Sequence, residues 1–176
     1  MAIWFTADTH FGHQRIIDLC ARPLDNVEAM DDLLIKNWNL KVAPDDIIYH
    51  LGDVSAHSTR PISDYLSRLN GCKILIRGNH DNDEICAAPQ WDNVYDYLEI
   101  DLDLTTDLQK PYKLVLFHYP IADWNGYQYG KSIHLHGHCH GRTPTTKRRC
   151  DVGVDQWGFT PVRFEDIKAR MDNTTD

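Results

Sequence analysis

IHLHGHCH, residues 133–140, sets histidines at 134, 136, 138 and 140 in a chain that holds ten. Alternate side chains of an extended segment share a face, so the four imidazoles would project together. Two readings follow. The segment is a strand with an imidazole-rich face, or it is part of a metal site, because neutral imidazole is the commonest metal-ligating side chain. Gly137 favours the second, since glycine lets the backbone bend or approach a neighbour closely. The choice rests on whether other segments supply partners.

AIWFT (2–6), DIIYHL (46–51), KILI (73–76), VYDYLEIDLDL (94–104), YKLVLF (112–117) and SIHLH (132–136) read as strands, with CDVGV (150–154) a weaker one. The runs at 2–6, 46–51, 73–76 and 112–117 are nearly continuously apolar, as in strands buried on both faces. The 94–104 run alternates apolar with acidic residues and suits one strand with a wet face. Helical patterns lie between: HQRIIDLCA (13–21), NVEAMDDLLIKNWNLKV (26–42), RPISDYLSRLNG (60–71) and FEDIKARM (164–171). The second of these has acids early and lysines late, as the helix dipole prefers. Alternating strands and helices argue for an α/β domain. One domain is expected over 1–171, followed by a polar tail at 172–176.

The strands end alike. They run into Asp8-Thr9-His10, Gly52-Asp53, Gly78-Asn79-His80-Asp81, His118 and Gly137-His138-Cys139-His140. Ligands in α/β sheets sit outside the carboxyl ends of strands. One acid after a strand is an ordinary turn or helix cap. Five such ends, drawn from oxygen and imidazole donors, point to a constellation.

Bulk properties narrow the function. At 176 residues, 42% hydrophobic and 25% charged, the chain can bury a real core. Its apolar runs are too short to span a bilayer. The N-terminus does not read as a signal peptide, and the five cysteines lack CxxC spacing, so reduced thiols in a cytoplasmic protein are expected. Cys139 should pack rather than bind metal. The net charge of −8 lacks the electrostatic footprint of a general nucleic-acid binder. The one dense basic run, KRR at 147–149, reads as a solvated loop.

In this order, the five blocks resemble the calcineurin-like metallophosphoesterase superfamily, whose signature runs D-x-H, G-D, G-N-H-[DE], a lone His, and G-H-x-H. The resemblance implies a four-layer α/β/β/α sandwich of two central β-sheets flanked by helices. It implies one metal held by Asp8, His10, Asp53 and His140. A second would be held by Asp53, Asn79, His118 and His138, with Asp53 bridging. His80 would contact the substrate phosphate and protonate the leaving oxygen. Such ligands suit two divalent transition-metal ions, Mn first, with Fe, Zn, Co or Ni as alternatives. The ions would keep the pocket locally positive in an acidic chain, and water activated between them would attack phosphorus directly.

The sequence THFGH…RP, with NWN and HLGD further on, looks like a compact branch of small bacterial and phage-type members. There His13 and Arg22 could touch the substrate phosphate, Arg being suited to bidentate phosphate binding. Asp81 would orient His80 or cap the next segment, and Arg77 would form a structural ion pair. His136 would support a ligand and His134 would be structural, while His50 and His57 have no motif support. Trp124, Tyr127 and Tyr129 could stack on a substrate or simply pack their loop. The leading expectation is a phosphodiesterase acting on a small phosphate ester, with a phosphomonoester as the second choice of substrate and no membrane partner. A nuclease is possible but not favoured by the acidic surface, and a non-catalytic interaction protein is disfavoured by the intact blocks. Oligomeric state is left open.

Overall fold

The computed structural model describes residues 1–103 and 111–174. In chain order the elements are β1 (Ile3–Thr6), α1 (Gln14–Leu19), α2 (Val27–Lys41), β2 (Ile47–His50), α3 (Ile62–Leu66), β3 (Cys72–Ile76), α4 (Asp83–Cys86), β4 (Asn93–Tyr95), β5 (Leu98–Leu102), β6 (Tyr112–Leu116), β7 (Ser132–His136), β8 (Arg149–Asp151), β9 (Val162–Arg163) and α5 (Phe164–Asp172). They build two mixed sheets flanked by helices, ordered β4-β3-β2-β1-β9 and β5-β6-β7-β8. β1 to β4 pair in parallel with β9 antiparallel at the edge, and β6 to β8 pair in parallel with β5 antiparallel.

Strand alternation divides the apolar residues between two cores. From the first sheet, Ile48 and Leu75 face α1 to α4 and join Met30, Leu34, Trp38 and Leu66. Their neighbours Phe5, Tyr49 and Ile76 face the other way, onto Leu114, Leu116, Ile133 and Leu135 of the second sheet. α2 buries Met30, Leu34, Ile35 and Trp38 as one helical stripe. Its first turn is capped by Asn26, whose side chain accepts the Ala29 N–H at 2.8 Å. α5 lies against β1, β8 and β9 and adds Phe164, Ile167 and Met171 to the inter-sheet core.

The far face of the second sheet is covered by the turn-rich segment 119–130. There Trp124 packs on His134 at 5.1 Å and on Tyr127 at 4.6 Å between centroids. His134 is fully buried, its nitrogens 3.0 Å from the carbonyl oxygens of Val115 and Tyr119. Trp124 and Tyr127 thus pack within the loop, whereas Tyr129 is exposed.

The 94–104 run departs from its reading as one strand. β4 pairs with β3 in the first sheet, β5 pairs with β6 in the second, and the chain crosses between sheets at Asp96 and Tyr97. Period-two alternation satisfies either half, and partners far away in sequence decide which sheet each joins. Residue 104 lies outside the described residues. The two-residue β9 and the four-residue α4 are too short to leave a periodic signal. Among the described residues no helix is long and apolar enough to cross a membrane.

The inter-sheet core is what brings the two halves of the site together. Leu114→Ala, at a fully buried position within it, is expected to cost about 2–5 kcal/mol. Urea unfolding should show a lower midpoint at an unchanged m-value.

Candidate metal centre

At the carboxyl ends of the strands the backbone leaves its extended path abruptly. Asp8, His10, Asp53, His138 and His140 have φ of 58°, 52°, 57°, 69° and 47°, in the left-handed region that side chains rarely adopt. Such residues cluster where surrounding structure enforces them. Here the turns are laced together: Asp8 N–H donates to the Gly52 carbonyl at 2.9 Å and His10 N–H to the Asp53 carbonyl at 3.1 Å. Both carboxylate oxygens of Asp8 take the His138 N–H, at 3.0 and 2.9 Å.

Two glycines are required by this crowding. A Cβ on Gly52 (φ 89°) would lie 2.5 Å from His118 Nδ1, and one on Gly137 would lie 2.6 Å from Ala7 Cβ. Glycine before the polar residue is therefore a packing requirement of the converging turns.

The donors gather in two groups. Ligating atoms of Asp8, His10 and His140 lie within 4.8 Å of one another, and so do those of Asp53, His118 and His138. Asp53 Oδ2 faces both groups, 3.7 Å from His10 Nε2 and 3.5 Å from His118 Nε2. His118 Nδ1 is 2.7 Å from the Leu51 carbonyl oxygen, so it donates there. That bond turns Nε2 toward the Asn79 side-chain oxygen at 3.1 Å. With the ring neutral, three lone pairs converge, from His118, Asn79 and Asp53. His10 is 1% exposed, yet neither ring nitrogen has a hydrogen-bond partner. Buried polar groups without partners are rare, and a cation would satisfy these donors. The residues present therefore fit divalent metal ions.

The sequence matches the model of the calcineurin-like phosphoesterase family over residues 1–160. The chain belongs to the calcineurin-like phosphoesterases. An uncharacterised protein of Methanocaldococcus jannaschii is 36% identical over 170 residues, covering 93% of this chain and 87% of that protein. A protein of Mycobacterium phage L5 called the gene 66 protein is 30% identical over 189 residues, covering 92% and 90%. The crystal structure of an Aquifex aeolicus protein of unknown function has a TM-score of 0.70 at 25% identity, covering 96% of this chain and 98% of that one. Membership makes the chain a metal-dependent phosphoesterase in general terms.

Electrostatics of the phosphoesterase site follow from burial set against pairing. Burial pushes Asp8 up to about 7, against the opposing pull of His140 and His118. Burial holds His10 neutral, its pKa lowered well below the usual range. For Asp53 burial is outweighed by the bond and charge of His118 and by the His80 N–H, and its pKa is lowered. Burial of His118 is likewise outweighed by Asp53, and its pKa is raised. His140 goes up to about 10, because its bond to Asp155 at 2.7 Å overrides burial.

The remaining expectations sort by position. A cavity of about 360 Å³ opens over the donors, and His13, His57 and His80 line it. His13 sits 5.1 Å from His57 and 6.4 Å from His80 between ring centroids. His57 carries no sequence motif and was missed; its φ of 55° marks a strained turn beside the site.

Arg22 departs from the expected phosphate contact. It does not line the cavity; it is 4% exposed and points inward. Its guanidinium forks onto Asp155 at 2.8 and 2.9 Å and reaches the carbonyl oxygens of Thr9 at 3.0 Å and Asp8 at 2.8 Å. These bonds consume the fork that a phosphate would need.

Asp81 also differs from expectation. Its carboxylate accepts the N–H groups of Asp53, Val54 and Gly78 at 2.8, 2.9 and 2.8 Å, so it orients the Asp53 turn. Asn82, not Asp81, caps α4, accepting the Ile85 N–H at 3.0 Å. Arg77 pairs with Asp83 at 2.9 Å. His136 is buried with Nδ1 2.8 Å from the Gly137 carbonyl oxygen. His50 is structural, 3.0 Å from Thr9 Oγ1 and packed between Trp38 and Trp91. Asp155 was missed altogether, because it lies fifteen residues past His140 in no recognisable pattern.

Metal binding should depend on pH with a definite sign. Below about 7 Asp8 is protonated in the metal-free chain, and a protonated carboxyl cannot ligate. Mn²⁺ affinity should therefore rise as pH increases from 6 to 8, by up to about tenfold per unit for each proton displaced. Titration of the chelator-stripped chain with Mn²⁺ at several pH values checks this; a flat profile would contradict it.

Proposed function

We propose that this chain is a phosphodiesterase that uses two divalent transition-metal ions, manganese being the first choice, to hydrolyse a small phosphodiester. The observation that carries the reading is Asp53, one oxygen of which faces His10 of one donor group and His118 of the other within 3.7 Å. A single carboxylate so placed suits a bridge. Asp8, His10, Asp53 and His140 would hold the first ion, and Asp53, Asn79, His118 and His138 the second. When bound, such ions supply Lewis acidity toward phosphoryl oxygens and lower the pKa of water.

The protein's own contribution is positioning. Asp53 is fixed by Asp81 behind it and by the His80 N–H, which donates to Oδ1 at 2.9 Å. The same short segment thus holds the donor edge and presents the His80 ring, 38% exposed, to the cavity. From there His80 can bind a phosphoryl oxygen and deliver a proton to the departing alkoxide, which general acid catalysis makes worth about 10²–10⁴-fold. His13, Arg15, His57 and Arg142 line the same open cavity and can receive the groups on either side of a diester. The buried carboxylates of Asp81 and Asp151 do not line that cavity.

Hydrolysis of a bis(aryl) phosphodiester and of an aryl phosphomonoester tests the reading. Diester cleavage should vanish on chelation, return with Mn²⁺, and fall at least about 100-fold in His80→Ala. Two tightly bound Mn²⁺ ions without cleavage of either ester would remove the catalytic assignment.

A further inference from the structure

Beyond the donors, one buried pair of charges touches both ends of the chain's contribution to the first metal position. Asp155 Oδ2 is 2.7 Å from His140 Nδ1. Arg22 grips the same carboxylate with Nε on Oδ1 at 2.8 Å and its NH2 group on Oδ2 at 2.9 Å. That NH2 group also donates to the Asp8 carbonyl at 2.8 Å, and the NH1 group donates to the Thr9 carbonyl at 3.0 Å and to Met30 Sδ at 3.2 Å. The guanidinium thus fastens the backbone of the Asp8-Thr9-His10 turn to the acid that holds His140. The His10 and His140 rings lie stacked, 5.2 Å between centroids.

We infer that Asp155, clamped by Arg22, is a positioning residue that fixes the ring orientation and tautomer of His140 for metal binding. The inference rests on the proposed two-metal reading of the site. Donation from His140 Nδ1–H to the carboxylate would leave Nε2 as the nitrogen available to a metal beside Asp8 and His10. Partners of this kind, standing behind ligating histidines, govern affinity through the second ring nitrogen.

Cys20, His140 and Asp155 also offer donors within 4.8 Å of one another. A soft cation there is disfavoured, because Arg22 occupies both oxygens of Asp155 and places its own positive charge beside the position. Oδ2 already takes both Arg22 and His140, and Oδ1 takes Arg22, so an ion would compete with three existing bonds. Among the described residues no equivalent clamp serves the second group: His118 is oriented by the Leu51 carbonyl and Asp53 by Asp81. The two positions can therefore be perturbed separately.

The test is a Mn²⁺ titration of the chelator-stripped full chain, read by the spin resonance of free Mn²⁺, alongside urea unfolding. In Asp155→Asn one of the two ions should bind about 10–100-fold more weakly, while the other keeps wild-type affinity. Asp155→Glu should recover part of the loss. Arg22→Lys keeps the charge, removes the fork, and should weaken the same ion. If Asp155→Asn fails to fold, the Glu and Lys variants carry the test. Unchanged binding of both ions, or equal weakening of both in step with a lower unfolding midpoint, would overturn the inference. A wild-type chain that binds two ions but cleaves no ester would sink the catalytic reading and leave this one standing. A wild-type chain that binds no Mn²⁺ would sink both.

Discussion

The arrangement depends on holding one carboxylate still. Asp53 sits at the end of β2 in a left-handed turn, with its own N–H and that of Val54 given to Asp81. One of its oxygens takes the His80 N–H, and the other is left facing His10, His118 and His80 at 3.5–4.0 Å. Each non-glycine residue kept in such a conformation costs on the order of 1–3 kcal/mol. The hydrogen bonds that Asp81 accepts and the apolar packing beneath offset that strain. A carboxylate free to rotate would turn outward to water, and the two donor groups would lose their common edge.

The sheets deliver the rest to that edge. β1, β2 and β3 run parallel, so Asp8, Asp53 and Asn79 emerge side by side at their carboxyl ends. His118, His138 and His140 come from the second sheet, where β6 and β7 are also parallel. The sheets meet beneath the site, through the bridge between Ala7 and Gly153 and the Asp8 contact with the His138 N–H. The inter-sheet core therefore acts as the register of the site, and the close approach leaves room for nothing larger than glycine at 52 and 137.

Much of this was legible in the residues. The apolar runs, their polar endings and the glycines before them are local signals, and they marked the candidate donors because each block carries its own chemistry. Arg22 was visible as a cation near the first block, but not as an inward one. Its partner Asp155 lies 133 positions away, and no local pattern announces such a pair. Asp81 followed the motif but was assigned the wrong neighbour, because its three N–H partners include two from another strand end. His57 offered no signal beyond its side chain.

The sequence by itself determined the alternation of strands and helices, the donor types and their order, since these depend on period and composition over a few residues. Tertiary structure alone decided that the 94–104 run divides between two sheets, that Arg22 serves Asp155 instead of the cavity, and that Asp81 holds the Asp53 turn. Those outcomes depend on which distant backbones pack within a few ångströms of each other, and that distance is a property of the folded core, to which no single stretch of sequence has access.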